Sequence, residues 1–165
     1  NAVTNKNSLW TIWNSIPAGS TVTLSISRAQ NPSTVTLSRP AGTEKINNTS
    51  GVIYTSSGWD WKYQNRGGTG SYLEDVDASI VTGDAFSLDL DGTGISMSTQ
   101  TNSDEATVAI SLDGGPETIV DLRSASRIFQ TQVFTSGTLP AGKHHLTARS
   151  TSGGYFIVDS FSITR

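Results

Sequence analysis

The sequence has no cysteine and few basic residues, and each shortage excludes a class of protein. Without cysteine, the 165-residue chain forms neither disulfides nor thiolate metal sites. Its 11 lysines and arginines are scattered and are outnumbered by 14 acidic residues, which gives a formal net charge of −3. Nucleic-acid binding relies on clustered cations, so no nucleic-acid partner is expected.

Long hydrophobic runs are missing as well. No stretch approaches the roughly 18 apolar residues of a membrane-spanning helix, so no membrane partner is expected. The first ten residues, NAVTNKNSLW, lack the charged start and the apolar run of a signal peptide. The sequence also begins without methionine. We therefore expect the chain to be one part of a larger, multidomain protein.

The residues that are abundant favour β-structure. Ser, Thr and Gly are frequent, and Val and Ile recur. Apolar and polar residues alternate, as in EATVAISL, where the apolar side chains fall on one face of a strand: Ala106, Val108, Ile110 and Leu112. The segment AFSLDL, residues 85–90, shows the same period of two. These patterns predict strands that are buried on one side.

Ten strands are predicted, separated by turn signals such as Asp113-Gly114-Gly115. They cover residues 20–28, 33–39, 51–56, 85–91, 94–100, 105–112, 117–122, 128–135, 143–150 and 155–164. The first two share the letters STVTLS, and we expect a turn at Asn31-Pro32 to join them. Such spacing predicts an all-β fold, a two-sheet antiparallel sandwich with essentially no helix, in a single domain over residues 1–165.

Catalytic groups are hard to find in the sequence. His144 and His145 are the two histidines, and neighbours on a strand point to opposite faces. Glu74, Asp75 and Asp77 lie in one short segment. That spacing is typical of a solvated loop, whereas glycoside hydrolysis needs two carboxylates at a set separation. The chain is therefore not expected to be an enzyme.

Asp159 is unusual because its predicted strand, YFIVDSFSI, is otherwise apolar on that face. The pattern puts Asp159 on the same side as Ile157 and Phe161. A carboxylate among apolar neighbours needs hydrogen bonds or a cation to offset its desolvation. Two interpretations stay open, namely backbone N–H groups that bind the carboxylate and a structural calcium ion.

The stretch SSGWDWKYQNRGGTGSY, residues 56–72, sets aromatic rings among turn-forming residues. Trp59, Trp61 and Tyr63 share one face if the segment is extended, and Arg66 follows them. Sugars have apolar C–H faces and a rim of hydroxyl groups, which suit aromatic rings flanked by planar polar groups. We predict that this loop faces outward and binds sugar. The alternative is that the rings cover the edge of the sandwich.

The order of several motifs resembles that of the galactose-binding-like, jelly-roll carbohydrate-binding modules. The motifs are VIYTSSGW, GGTGSYLE, FSLDLDGTGIS, ATVAISLDGG, TIVDLRSAS, FQTQVF, LPAGKHHLTAR and GGYFIVDSFSI, and they cover residues 51–165. Residues 1–50 are expected to form leading strands of the same fold or a junction with a parent protein. Modules of this class occur in bacterial glycan-active enzymes and in phage distal tail and baseplate proteins.

The resemblance implies a non-catalytic module that binds polysaccharide on a bacterial cell surface, in an extracellular or virion location. Trp59 and Tyr72 match aromatic positions of the family, whereas Arg123 stands where an aromatic residue is common. Related modules often hold a structural calcium ion, and Asp159 lies on a compatible strand. The predicted ligand-binding residues are Trp59, Trp61, Tyr63, Arg66, Tyr72, Arg123 and Arg127.

Three other functions stay open at this point. A structural or assembly domain of a surface or virion protein would bury Trp59 and Trp61 against itself or a neighbouring subunit. A targeting module would belong to a glycan-active enzyme. A hydrolase or esterase would need a pocket that holds paired acids or an activated serine, and the sequence shows neither.

Overall fold

A computed structural model describes residues 21–28, 31–38, 42–56, 58–59 and 70–165, and all structural statements concern these residues. They form thirteen strands and a single 3₁₀ turn, Tyr72–Glu74. The strands are β1 (Thr21–Arg28), β2 (Asn31–Ser38), β3 (Thr43–Asn47), β4 (Val52–Thr55), β5 (Asp77–Ser79), β6 (Ala85–Gly92), β7 (Gly94–Thr101), β8 (Thr107–Leu112), β9 (Thr118–Asp121), β10 (Ile128–Thr135), β11 (Gly142–Ser150), β12 (Phe156–Val158) and β13 (Ser160–Thr164). No helix in these ranges is long and apolar enough to cross a membrane.

Two antiparallel sheets form the layers of the sandwich. One has four strands in the order β10-β7-β13-β3, and the other has five in the order β4-β6-β11-β8-β9. Two further pairs, β1-β2 and β12-β5, are also antiparallel. The predicted all-β, two-sheet fold is confirmed, and the described residues contain no α-helix.

The core lies between the two sheets and is built by the period-two pattern. Phe86 and Leu88 of β6 are 1% and 2% exposed, and Val108 and Ile110 of β8 are equally buried. Met97 of the opposite sheet is fully buried and belongs to the same cluster. Each such side chain contributes about 1.5–3 kcal/mol through burial. The alternation that predicted these strands therefore also identified the core.

The turn signals separate strands as predicted, but one joins strands of the same sheet and another joins strands of opposite sheets. Asp113 and Gly114 have φ of +54° and +69°, the left-handed conformation of a tight hairpin turn, and they join the paired strands β8 and β9. The DGTG segment at 91–94 instead joins β6 to β7, which lie in opposite sheets. Gly92 is needed there because the carbonyl oxygen of Thr164 occupies the space of a side chain.

The segment 155–164 is two strands rather than the single strand that was predicted. β12 pairs with β5, whereas β13 pairs with β3 and β7, and Asp159 lies at the break. The break shifts the phase of the alternation, so that Val158 and Phe161 both reach the main core. Ile157 packs in a second, smaller cluster. The prediction that Asp159 shares one regular face with Ile157 and Phe161 is therefore wrong.

Three smaller differences concern the first half of the chain. Pro32 lies within β2 and pairs with Ser27, so the predicted turn at Asn31-Pro32 is wrong, and residues 29–30 lie outside the described part. β3 and β5 were not predicted, because TEKIN has no apolar alternation and DAS is only three residues long. β3 nevertheless extends the four-stranded sheet by pairing with β13.

Candidate functional site

Trp59 belongs to the core and does not face outward. Its side chain is 6% exposed, and its ring centroid lies 4.7 Å from that of Tyr54 and 5.3 Å from that of Phe156. The indole Nε1–H donates to the carbonyl oxygens of Thr55, at 3.2 Å, and Ala85, at 3.1 Å. The prediction that this ring is presented to a sugar is wrong, because neither of its faces is free to stack on a ligand.

A buried carboxylate explains why the chain turns inward before Trp59. Asp84 is 3% exposed and accepts hydrogen bonds from the hydroxyls of Ser56 and Ser79. Ser56 has φ of +85°, an uncommon conformation for a residue other than glycine. Gly58 leaves no space for a side chain, because the Asp84 carboxylate and Ser79 hydroxyl occupy it. Asp84 therefore fixes the path that delivers Trp59 to the core.

The other predicted aromatic residues of this loop, Trp61 and Tyr63, lie outside the described residues, as does Arg66. Their ligand-binding role stays a prediction. The described chain resumes at Gly70, whose carbonyl oxygen accepts a 2.8 Å hydrogen bond from Nε2 of Gln130. The end of the loop is thereby fixed to β10.

Tyr72 follows this anchor and is half-buried. Its backbone N–H donates to Oδ1 of Asp159 at 2.8 Å. The ammonium group of Lys45 lies 4.4 Å from the ring centroid, in cation–π contact, and donates to Oε1 of Gln130 at 2.6 Å. One region of the ring is therefore occupied by a cation, and the role of Tyr72 in ligand binding stays a prediction.

A cavity of about 100 Å³ opens beside this segment, where the connections after β4, β7, β9 and β11 come together. Its lining is mostly polar and charged. Glu74, Asp75 and Asp104 contribute carboxylates, Arg127 contributes a guanidinium group, and Tyr155 contributes an aromatic ring. Such a set can donate and accept hydrogen bonds from several directions while presenting one apolar face.

Glu105 lies directly behind the wall of this cavity and is 2% exposed. Its Oε1 accepts a 2.7 Å hydrogen bond from Nε2 of Gln100, a lining residue. Its Oε2 has no hydrogen-bond partner among the described residues. Burial raises the pKa of Glu105 to about 7, the Gln100 bond and the Arg127 charge oppose that rise, and the Asp104 charge adds to it.

The two predicted arginines have different surroundings. Arg127 lines the cavity and makes no ion pair within the described ranges. Arg123 instead donates from Nε and Nη2 to both carboxylate oxygens of Asp121, at 2.8 and 2.9 Å, and does not line the cavity. The structure therefore brings Arg127 to the cavity but not Arg123. Sequence reasoning missed the cavity residues Gln100, Asp104 and Tyr155. The polar stretch TQTNSDE at the end of β7 was the available signal for Gln100 and Asp104, and no comparable signal marked Tyr155.

Asp159 is 1% exposed, and only one of its carboxylate oxygens is satisfied. Oδ1 accepts the backbone N–H of Tyr72, whereas Oδ2 has no hydrogen-bond partner among the residues described. Burial raises the pKa of Asp159 to about 6, against the lowering effects of that hydrogen bond and of Lys45. One backbone N–H thus accounts for one oxygen of the carboxylate, and the other oxygen has no donor among the described residues.

The residues around Asp159 supply further oxygens of the kind that calcium binds. Asn47 Oδ1, Asn48 Oδ1 and Asp77 Oδ1 are also buried without a hydrogen-bond partner in the described part of the chain. Asn48 connects them, because its N–H donates to the Asp159 carbonyl at 2.9 Å and its Nδ2 donates to Asp77 at 2.8 Å. No group of three His, Cys, Asp or Glu residues in the described ranges is placed to hold a metal. Amide oxygens would therefore have to join the carboxylates, and calcium accepts both.

The two histidines lie away from the cavity and point to opposite sides of β11. Nδ1 and Nε2 of His144 lie 2.7 Å from Oδ2 of Asp113 and 2.8 Å from the Pro140 carbonyl oxygen. Because both partners are acceptors, this geometry suits a doubly protonated ring, and the Asp113 carboxylate raises the pKa of His144. His145 Nδ1 lies 2.6 Å from Oδ1 of Asp89. Both rings therefore hold structural contacts.

Comparison with known proteins shows that the chain shares its fold with several solved structures. No family model matches the chain, and no curated protein matches it. A two-domain esterase active on acetylated mannans has a TM-score of 0.58 at 13% identity, over 75% of this chain and 37% of the esterase. The Podospora anserina GH26-CBM35 β-(1,4)-mannanase has a TM-score of 0.55 at 15% identity, over 74% of this chain and 27% of the mannanase. The CBM36-1 domain of a multidomain xylanase from the hindgut metagenome of Trinervitermes trinervoides is covered over 98% of its length, with 13% identity and a TM-score of 0.49.

These similarities concern one part of each enzyme, since this chain spans about a third of the esterase and about a quarter of the mannanase. Sequence identities of 13% and 15% establish a shared fold and nothing finer. The two enzymes share a β-sandwich fold with this chain over about three quarters of its length. The similarity agrees with the predicted jelly-roll architecture at the level of fold.

Proposed function

We propose that the chain is a non-catalytic carbohydrate-binding module whose ligand occupies the cavity lined by Arg127 and Tyr155. The observation that carries this proposal is the cavity itself, which combines carboxylates, an aromatic ring and a guanidinium group that has no ion pair among the described residues. It lies at the loop end of a jelly roll. Planar polar groups match the directions of sugar hydroxyls, and the ring suits an apolar sugar face. A volume of about 100 Å³ admits one edge or substituent of a sugar, so the rest of the chain would run across the mouth.

The loop at residues 60–69 is part of this proposal. Trp61, Tyr63 and Arg66 belong to the segment that leads into Gly70 and Ser71, and Ser71 lines the cavity. We propose that these three residues extend the site by stacking on sugars outside the cavity. Stacking of this kind is worth about 1–3 kcal/mol per ring, by analogy with base stacking on aromatic side chains.

Several features support a binding role over catalysis. The described lining contains no histidine, and the rings of His144 and His145 are engaged with carboxylates elsewhere. Ser71 lines the cavity without a histidine beside it, so it lacks the base that would activate a serine nucleophile. Glu105, whose pKa of about 7 would suit a general acid, is 2% exposed and does not line the cavity.

The module would serve a larger protein outside the cell or in a virion. One parent is a glycan-active enzyme, which the module would target to its substrate, and the fold shared with parts of mannan-active enzymes supports this parent. The other is a phage tail or baseplate protein, where the module would attach to cell-wall polysaccharide of the host. The order of the sequence motifs supports that parent. Many copies on a tail would raise avidity by roughly 10²–10⁴ over a single weak site.

We further propose that Asp159, Asp77 and Asn48 take part in a structural calcium site, because each has a buried oxygen without a hydrogen-bond donor among the described residues. A bound calcium ion would supply the positive charge that these oxygens lack. In the absence of metal, the raised pKa of Asp159 makes its ionised form unfavourable in the folded state, so stability should fall as pH rises from about 4 towards about 6.

Metal analysis and thermal unfolding test the calcium site. Calcium should raise the melting temperature and reduce the loss of stability between about pH 4 and 6, because the cation favours the ionised carboxylate. The Asp159→Asn variant should show no effect of calcium and a smaller loss over this pH range, and the remaining loss comes from Glu105, whose pKa is also raised. A wild-type melting temperature that is unchanged by calcium and by chelator would contradict the proposal.

A glycan array followed by calorimetry tests the binding function. The intact chain should bind a defined set of polysaccharides, and Arg127→Ala should weaken binding by about tenfold without changing the melting temperature. Arg149→Ala is the matched control, because Arg149 donates to Glu117 at 2.8 and 2.7 Å on an exposed sheet face. Failure to bind any glycan, or equal affinity of Arg127→Ala and the wild type, would contradict the proposal.

A further inference from the structure

The charges that line the cavity are unbalanced. Three carboxylates, those of Glu74, Asp75 and Asp104, face one guanidinium group, that of Arg127. An asparagine amide donates to both carboxylate oxygens of Asp75, and another donates to Oδ1 of Asp104, but neither amide neutralises the charge. The cavity should therefore repel anionic groups and attract cationic ones.

Glu105 is an independent observation that favours a cationic ligand over an anionic one. Its Oε2 is a buried acceptor that finds no donor among the described residues, and an unsatisfied buried oxygen costs about 1–3 kcal/mol. Gln100 binds the other oxygen, and Asp104 and Arg127 interact with the same carboxyl by charge. All three of these neighbours line the cavity. A positive charge in the cavity would favour the ionised form of Glu105 from just behind the wall.

The spacing of the acidic groups favours an organic cation over a metal ion. A calcium ion needs six to eight oxygens at about 2.3–2.6 Å. Within the described ranges no three acidic side chains are close enough together to hold a metal. An ammonium group has three donors and needs only acceptors at hydrogen-bond distance. Asp104 and Glu74 are exposed enough to supply them, since neither is buried.

We propose that this cavity selects a saccharide with a free amino group, held as an ammonium ion by the carboxylates of Glu74 and Asp104. The inference rests on the proposed carbohydrate-binding function and names its substrate class. Glu105 acts as a positioning residue in this site. It does not touch the sugar, and its charge stabilises the ammonium group through the wall formed by Gln100.

Calorimetry on the intact chain at neutral pH compares three β-linked oligomers of equal length, built from glucosamine, from N-acetylglucosamine and from glucuronic acid. The glucosamine oligomer should bind about tenfold or more tightly than the N-acetylated one, and its affinity should fall with added salt. Equal or tighter binding of either other oligomer would overturn the inference. Binding of other saccharides without preference for amines would overturn this inference alone, whereas failure to bind any glycan on the array would overturn the proposed function as well.

Variants and a titration distinguish a positioning role of Glu105 in ligand binding from a purely structural role. Glu105→Gln should remove the preference for the glucosamine oligomer, and Glu117→Gln, the same change at an exposed carboxylate just before β9, should keep it. In the wild type, the pKa of Glu105 followed by carboxyl NMR should fall when the glucosamine oligomer is added and stay constant with the N-acetylated one. A purely structural carboxyl would not respond to the ligand amine, so an unchanged pKa would overturn the role of Glu105. If Glu105→Gln does not fold, Asp104→Asn and this titration provide the same test.

Discussion

Replacement of Trp59 by alanine separates a core residue from a ligand platform. The ring is 6% exposed, contacts the rings of Tyr54 and Phe156, and donates its N–H to two carbonyl oxygens. Burial of about 150–250 Å² for a large aromatic side chain corresponds to roughly 4–6 kcal/mol. Substitutions of buried Trp or Phe by Ala cost about 3–5 kcal/mol, so we expect Trp59→Ala to destabilise the chain by that amount.

Thermal unfolding measures this loss directly. For a domain of this size, each kcal/mol lowers the melting temperature by about 2–4 °C, so Trp59→Ala should lower it by roughly 6–20 °C. Trp59→Phe keeps an aromatic ring but loses the indole N–H, and should cost only about 1–2 kcal/mol. The contrast is Trp61→Ala, which should weaken glycan binding and leave the melting temperature nearly unchanged.

Two outcomes would refute this reasoning. Trp59→Ala with the melting temperature of the wild type would show that the ring is not part of the core in solution. Loss of glycan binding at that unchanged melting temperature would restore Trp59 as a ligand platform. Saccharide binding must therefore be measured on the same protein sample and below its unfolding transition.

Two further predictions concern stability. The Asp113 carboxylate raises the pKa of His144, so the contribution of His144 to stability should be complete below the unfolded pKa of about 6.5 and should be lost as pH rises through the higher folded value. Thermal unfolding across this pH range should show a decline in melting temperature for the wild type that His144→Gln lacks. A flat profile for the wild type would contradict the prediction. Gly58→Ala should lower the free energy of unfolding by about 1–3 kcal/mol or more, because the Asp84 carboxylate occupies the position of the new methyl group. Gly153→Ala should be nearly neutral, because its methyl group would meet no atom within 4 Å. Equal stability of the two variants would contradict the role of Asp84 in positioning this segment.

The fold was predictable where one simple period determines the structure. The alternation in EATVAISL and AFSLDL correctly identified buried residues such as Ile110 and Leu88. Asp159 was harder, because the break between β12 and β13 changes the partner strand and thereby the phase of the alternation. A period-two pattern read along a single chain contains no information about which strands will pair.

The site was less predictable than the fold, because its residues come from four separate connections and from the ends of neighbouring strands. Arg127 lines the cavity, and its role in ligand binding stays a prediction. Gln100 and Asp104 are close in sequence, but Tyr155 follows 51 residues after Asp104 and meets them only when the strands are paired. Trp59 was misplaced because its neighbours look like an exposed loop, whereas the buried Asp84, 25 residues later, draws that loop inward.

The most direct test of the carbohydrate-binding site is an NMR titration of the isotope-labelled intact chain with the best ligand from the glycan array. The largest shifts of backbone amides should fall at residues 71–76, 100–105, 127 and 155, which surround the cavity, and in the loop at 60–69. Shifts confined to the outer faces of the two sheets, with these residues unaffected, would contradict the site. No shift with any bound or candidate glycan would contradict the binding function itself.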